Sequence, residues 1–328
     1  MKNVLLISDL SQRYYFDSFV EPCSARDIRL LLFDTKLFPN ELCISIAATA
    51  ARSRGTVQVI VLPEGKRKTV SLQDIDVAWY LRPGGVVASR FMTKLEQRFT
   101  IAEATAALNA LCSALDCKWV NKKETLEALE TNKLLQQKIA ERCGLKTPST
   151  LITNDPDQLV RFSNKRDGLL LKTMAYTKLD SHSKYFIYSQ KFSAQELLKN
   201  RKAIRHCPVF AQHYIEKRFE YRVMSIGTNV LACRIDSQAS NQTKIDWRHY
   251  DFDRVEHRAA RLPQAVQRKI LKFMRAADLR FGAIDMIETP KGEFVFLEVN
   301  PAGQWDWIAK LAKLPIPNAV ATMLAKLI

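Results

Sequence analysis

At 328 residues, 47% of them hydrophobic and 26% charged, the chain has the composition of a globular protein with length for about two domains. Lys and Arg exceed Asp and Glu by 16, a charge that favours acidic partners. No apolar run is long enough to span a bilayer, MKNVLLISDL is too short for a signal peptide, and seven scattered cysteines without a CxxC pair argue against a disulfide framework; a cytoplasmic protein with reduced thiols is expected.

Val4–Ile7, Val57–Leu62 and Val77–Leu81 read as short buried strands. Residues 91–116 follow a helical period, with Phe91, Leu95, Phe99, Ala102, Ala106, Ala110 and Leu115 near one stripe. Strands alternating with a helix predict a small open α/β domain over residues 1–120. From Asn121 a charged helical stretch runs to Gly144, which fits a C-cap, with Thr131-Asn132-Lys133 inside it. Thr150–Thr153 and Gly168–Thr173 read as strands, the second carrying Lys172. A lysine within an apolar strand must be paired, snorkelling or functional. Met174–Tyr185 reads as a polar loop without glycine, and Phe186–Tyr188 as the returning strand. Phe210–Ile215, Glu220–Ile226 and Val230–Ile235 follow as strands; Glu220 and Arg222 share one face, and the third carries Arg234. Asp246-Trp247-Arg248 lies in a polar linker. Pro263–Leu279 reads as an amphipathic helix, and Ile308–Ile328 as a helix interrupted at Pro315 and Pro317.

Between the last two helices lies the most informative stretch. Ala283–Glu288 and Phe294–Val299 flank Thr289-Pro290-Lys291-Gly292, which predicts a β-hairpin. Asp285 sits on one strand, and Glu298 and Asn300, two residues apart, share a face of the other. Three oxygen-bearing side chains converging at one spot suit a hard divalent cation such as Mg²⁺. The competing reading, in which Asp285 and Glu298 pair with Arg or Lys, stays open on this stretch alone. The basic runs, Lys66-Arg67-Lys68 among them, lack the aromatic interleaving or zinc-finger spacing of nucleic-acid readers. A nucleic-acid partner is therefore not expected from any of them.

The order of these features resembles the ATP-grasp ligases over residues 121–328, with Glu298-Val299-Asn300-Pro301 as the signature. A closer resemblance, to the microviridin-type or graspetide peptide ligases, spans nearly the whole chain. It rests on Ala78-Trp79-Tyr80-Leu81-Arg82-Pro83, Trp119-Val120-Asn121, Asn132-Lys133, Pro148–Asn154, Leu171-Lys172-Thr173 and the ending Asn300-Pro301-Ala302-Gly303-Gln304-Trp305. The resemblance implies α/β and α+β architecture: a pre-ATP-grasp domain over 1–120, a central ATP-grasp subdomain over 121–207 and a C-terminal one over 208–328 that holds the metal site. It implies ATP and two Mg²⁺ ions, with Lys133 and Lys172 on the phosphates, the Gln212, His213, Tyr214 and Ile215 backbone on the adenine and Glu220 on the ribose. Arg222, Arg234 and Arg248 would face the developing charge, and Asp285, Glu298 and Asn300 the metal. The implied partner is an acidic precursor peptide, leader plus core, steered to the basic 195–205 or 236–256 segments; a homodimer is a further implication. Such enzymes join an Asp or Glu carboxylate to a Ser or Thr hydroxyl or a Lys amine through an acyl phosphate. The rival readings are an ATP-grasp ligase that adds a free amino acid and a non-catalytic ATP-binding protein.

Overall fold

The computed structural model describes residues 1–49, 53–163, 168–175 and 187–328. The N-terminal part alternates strands and helices as expected, with more of both than the pattern revealed. In chain order it comprises β1 (Lys2–Ser8), α1 (Arg13–Ser24), β2 (Ile28–Asp34), β3 (Ile44–Ala48), β4 (Ser53–Leu62), β5 (Lys66–Ser71), β6 (Val77–Tyr80), α2 (Lys94–Ala114) and β7 (Lys118–Trp119). The sheet order is β3-β4-β2-β1-β6-β7, with β5 beside β4. β1 runs parallel to both β2 and β6, and β4 is antiparallel. The central strands are covered on both faces, which is why they read as unbroken apolar runs. Val4 and Leu6 pack on Phe16 and Phe19 of α1, while Leu5 and Ile7 pack on Leu108 and Leu111 of α2.

α2 corrects one expectation. It buries Ala104, Leu108, Leu111 and Cys112, whereas Phe91, Leu95 and Phe99 of the expected stripe are 88%, 70% and 66% exposed. Ala102, Ala106 and Ala110 are exposed with them. The helix has two apolar stripes, and periodicity cannot say which meets the sheet.

The expected helix from Asn121 is two helices, α3 (Lys123–Glu130) and α4 (Lys133–Arg142). The break falls at Thr131-Asn132, because the Asn132 side chain accepts from Leu135 N and caps α4. Lys133 thereby opens a helix instead of sitting within one. Gly144, at φ +82°, supplies the left-handed C-cap. Next come β8 (Thr150–Thr153), α5 (Pro156–Ser163), β9 (Leu169–Lys172), β10 (Gln190–Phe192), α6 (Ala194–Lys199), α7 (Arg201–His206) and β11 (Val209–His213). The returning strand is Gln190–Phe192, paired with β9; Ile187–Ser189 is not strand, and Phe186 and most of the expected loop lie outside the described residues. These strands form a four-stranded antiparallel sheet, β10-β9-β11-β8.

The remainder comprises β12 (Phe219–Ile226), β13 (Asn229–Ile235), β14 (His257–Ala260), α8 (Gln264–Ala276), β15 (Phe281–Glu288), β16 (Phe294–Asn300), α9 (Asp306–Leu311) and α10 (Ile316–Leu327). The expected C-terminal helix is broken between Leu311 and Ile316. The strands form an antiparallel sheet ordered β14-β13-β12-β15-β16. Sheet membership does not follow the 121–207 and 208–328 division. β11 pairs with β8 and β9, while Leu129 of α3, Ala140 of α4 and Cys143 just after it pack with Ile284, Met286 and Phe296 of the five-stranded sheet. No helix among the described residues is long and apolar enough to cross a membrane.

The other face of the five-stranded sheet docks on the N-terminal part. Trp79 and Trp305 are fully buried there, 6.4 Å apart, with Phe281 5.1 and 5.2 Å from them. Asn121 bolts the junction: its amide donates to the carbonyls of Phe281 and Pro301 at 2.8 Å, and its carbonyl accepts from Arg280 N at 3.0 Å. Leucine there would strand several buried backbone groups. Asn121→Leu is expected to cost about 3 kcal/mol, read as a lowered midpoint in equilibrium urea unfolding; an unchanged midpoint would refute this role.

Candidate active site between the two antiparallel sheets

The register of the five-stranded sheet builds the site. Arg222 of β12 lies opposite Asp285 of β15, and Asp285 opposite Glu298 of β16. Three functional side chains thus stand in a row on one face, and Asn300 follows two residues on. Lys133 reaches this row because Gln136, one turn later in α4, is hydrogen-bonded to β16: its side chain accepts from Val299 N at 2.8 Å and donates to Val299 O at 3.0 Å. Lys172 arrives from the four-stranded sheet, and Arg248 from the linker after β13.

Both sequence readings of the carboxylates hold in part. They converge, and they are ion-paired. Lys133 Nζ lies 2.6 Å from Glu298, and Arg222 Nη1 donates to both oxygens of Asp285 at 3.1 Å. Burial opposes ionisation of Glu298, yet Lys133 and Lys172 hold its carboxyl down to about 2. Burial raises the Asp285 carboxyl, Arg222 pulls it down and Glu298 pushes it up, leaving it raised. Burial pushes the Lys172 ammonium down to about 8, while Glu298 pulls the other way. Arg248 is gripped by Asp246, which accepts from its Nε at 2.8 Å and from its Nη2. Against the cost of burial, these bonds hold the Asp246 carboxyl well below its usual range.

Of the expected nucleotide residues, Gln212, His213, Tyr214, Ile215 and Glu220 all line one narrow cavity with Lys133 and Lys172. Their side chains differ in role. His213 stacks on Phe162 at 4.2 Å and its Nε2 contacts Phe162 O, so it packs the small sheet. The Gln212 amide donates to Thr150 Oγ1, leaving its buried Oε1 without a partner among the described residues. Glu220 is buried and paired with Lys217 at 2.7 Å, and burial raises its carboxyl. Arg234 is not brought to the site. The register sets it opposite Tyr221, on the other face from Arg222, and its guanidinium sits 4.2 Å over the Phe219 ring. A residue's face follows from pairing, which its own strand does not reveal.

Three residues make contacts that the sequence reading did not assign to them. Lys217 neutralises Glu220. Asp246 orients Arg248 and also accepts from Ser189 N at 3.0 Å, tying the segment that leads into β10 to the linker after β13. Gly303 lets the turn after Asn300 press close, since a Cβ there would lie 2.3 Å from Ala283 Cβ and 2.8 Å from Arg222 Nη2. Lys217 had a usable signal, a lysine three residues before a strand glutamate, and Asp246 and Gly303 stand in runs already singled out.

Beyond Asp285 and Glu298 the narrow cavity, about 80 Å³, meets a cleft of about 930 Å³. The cleft is closed on its far side by the carboxyl ends of β1 and β6, with Asp9, Gln12 and Arg82, and by Glu127 and Glu130 of α3. Asp285, Glu298 and Asn300 offer an all-oxygen donor set, as a hard cation requires. Asn300 donates its amide to Asp285 at 3.3 Å, which leaves its carbonyl for a cation. Among the described residues no three His, Cys, Asp or Glu side chains cluster as a metal site, here or elsewhere, so the set at this point is two carboxylates and one amide.

No family model and no curated protein matches the sequence. Solved structures do. A RiPP-associated ATP-grasp ligase from Chryseobacterium gregarium, in complex with ADP and a leader and core peptide, is 25% identical, with 99% of this chain and 97% of that one covered and a TM-score of 0.89. Macrocyclase MdnC from Microcystis aeruginosa, bound with precursor peptide MdnA, is 21% identical with a TM-score of 0.83 and 99% of each chain covered. ATP-grasp ligase PsnB, complexed with a precursor variant, Mg and ADP, is 18% identical with a TM-score of 0.75, covering 99% of this chain and 98% of its own. The chain has the ATP-grasp fold along its whole length, in the form taken by these peptide ligases.

The buried Lys217–Glu220 pair yields a test of its own. Lys217→Met leaves a buried carboxylate unmatched and is expected to cost about 3–5 kcal/mol. The double variant Lys217→Met/Glu220→Leu is expected to recover most of that in thermal unfolding. Equal losses in both would show that the pair's charge balance is not what matters.

Proposed function

We propose that this chain is an ADP-forming ATP-grasp ligase that joins side chains within an acidic ribosomal peptide, leader plus core, in the cytoplasm. The observation that carries the reading is the Arg222–Asp285–Glu298 row, flanked by Lys133, Lys172 and Arg248, at the meeting of a narrow cavity and a wide cleft. One compartment fits a nucleotide and the other a peptide, and the charged row sits where they exchange a phosphoryl group. Seven free cysteines agree with a reducing compartment.

Lys133 and Lys172 bind the phosphates as point charges, and the 212–215 backbone faces the adenine. Asp285, Glu298 and Asn300 would hold Mg²⁺, two ions in our reading, which would neutralise phosphate charge there. When the nucleotide binds, Lys133 and Arg222 exchange carboxylate partners for phosphate oxygens. A peptide carboxylate oxygen attacks the γ-phosphorus, breaking its bond to the β-phosphate oxygen and releasing ADP. Arg222 and Arg248 hold the charge that builds on the transferring group. A hydroxyl or amine then attacks the acyl carbon, phosphate leaves and the nucleophile gives up its proton. Each turn removes one water from the peptide and converts one ATP to ADP and phosphate.

The precursor is acidic in our reading because the chain as a whole carries a net charge of +16, while the cleft lining itself is mixed, with Lys36, Arg82, Arg222 and Arg248 beside Asp9, Glu127, Glu130, Asp285 and Glu298. A homodimer is supported by the bare stripe of α2. Its first half is bulky, with Leu95 and Phe99, and its second half is small, with Ala106 and Ala110. Two copies packed antiparallel about a two-fold axis seat each half on the other.

The reading is tested by the intact mass of an acidic candidate precursor incubated with protein, Mg²⁺ and ATP. Loss of one water per link is expected, with Glu298→Ala slower on the order of 100-fold or more. A gain equal to an amino acid would favour the amino-acid-adding rival, and nucleotide binding without ADP release from any carboxylate peptide would favour the non-catalytic one. Sedimentation velocity tests the α2 stripe: the wild type is expected to run as a dimer and Phe99→Glu as a monomer. A monomeric wild type would sink the dimer.

A further inference from the structure

Nearly every charge in the wide cleft has a partner. Lys36 pairs with Asp9, Arg222 with Asp285, Arg248 with Asp246, Glu298 with Lys133 and Glu127 with Lys123. Glu130 stands exposed on the α3 wall. Arg82 is the one cation lining the cleft without a carboxylate partner among the described residues. It is nevertheless held firmly. Its Nε donates to Gln12 Oε1 at 3.2 Å, its Nη1 donates to Ala302 O at 2.9 Å, and its guanidinium lies 5.3 Å over the Tyr15 ring. Two of five N–H groups are thus used, and the Nη2 pair has no protein acceptor among the described residues.

The backbone is also arranged for this residue. Arg82 has φ +48°, an uncommon conformation for a side chain of this size, and Pro83 further restricts it. The following loop is wedged in place: a Cβ on Gly84 would lie 2.5 Å from Lys36 Cε and 2.6 Å from Asp9 Oδ2. Arg82 follows β6, while Asp9 and Gln12 follow β1. The chain crosses from β2 on one side of β1 to β6 on the other, and such switch points are where open α/β sheets bind ligands. Arg82 touches the same Pro301–Gly303 turn that follows Glu298 and Asn300, so its open fork stands beside the charged row on the peptide side.

We propose that Arg82 is the seat for the carboxylate of the peptide substrate that is to be activated, holding it bidentately from the N-terminal domain. The proposal rests on the ligase reading for what happens next, but not for the binding itself. A positioned fork selects Asp or Glu over Asn or Gln, because an amide would oppose one N–H donor with another. Arg82 is then a specificity residue of the peptide cleft and leaves nucleotide binding alone.

The probe is a synthetic peptide of alternating Glu, Thr and Lys, compared with the same peptide carrying Gln for Glu. Both are titrated into the ADP-saturated protein at high salt, where long-range attraction is screened. Wild type is expected to prefer the Glu peptide about tenfold or more. Arg82→Met is expected to lose that preference at unchanged ADP affinity, which also reports a folded protein, and Arg82→Lys to keep part of it. Gln12→Leu, which frees the guanidinium without removing it, is expected to fall between. Arg268→Met, an exposed change on α8 that removes the same charge, is expected to keep the full preference. An Arg82→Met protein that still prefers Glu, or a wild type that does not, overturns the seat. A wild type that prefers Glu yet neither releases ADP from ATP nor dehydrates the peptide supports the seat and refutes the ligase.

Discussion

Charge matching on one sheet face governs this molecule. Five cations, Lys133, Lys172, Lys217, Arg222 and Arg248, crowd the site with four carboxylates, Glu220, Asp246, Asp285 and Glu298. Isolated buried charges would be costly, and pairing removes most of that cost. Four pairs form, leaving Lys172 without a carboxylate of its own among the described residues, and burial lowers its ammonium. A site with one surplus positive charge attracts phosphate without being torn by self-repulsion.

Pairing needs positions held to a fraction of an ångström, and the surrounding frame supplies them. Gln136 ties α4 to β16 beside Glu298. Asn121 ties the end of the N-terminal domain to the start of β15 and to the turn after Asn300. The Trp79–Trp305–Phe281 cluster fills the space between. The motif residues after Asn300 are therefore structural as well as chemical: Gly303 permits the close turn and Trp305 anchors it, while Gln304 O accepts from Arg222 at 3.1 Å.

The sequence exposed what depends on local pattern. The hairpin was legible because two apolar-rich runs flank Thr-Pro-Lys-Gly turn chemistry, and Glu298 and Asn300 share a face by arithmetic. Lys172 stood out because charge is rare in an apolar strand. What failed depends on partners. Arg234 lies on the wrong face because register with β12 decides it. The buried stripe of α2 could not be chosen from two apolar candidates. The helix break at Asn132 was a capping signal overlooked inside a charged run, and β2 with α1 passed unnoticed because their neighbours carried the louder patterns. Sheet membership of β11 and of α3–α4 is likewise a tertiary fact.

Asp246 has a wider consequence. One of its oxygens receives Ser189 N from the segment before β10, and both receive Arg248 from the linker after β13. The carboxylate is a shared acceptor for the segment that leads into β10 and for the linker after β13. Displacing either segment therefore disturbs the same group that orients Arg248. Linkage makes the effect mutual: whatever steadies Arg248 on Asp246 also favours the Ser189 contact, by the same free energy. The aim of an arginine and the contact between two distant stretches of chain become a single equilibrium, set by one buried side chain.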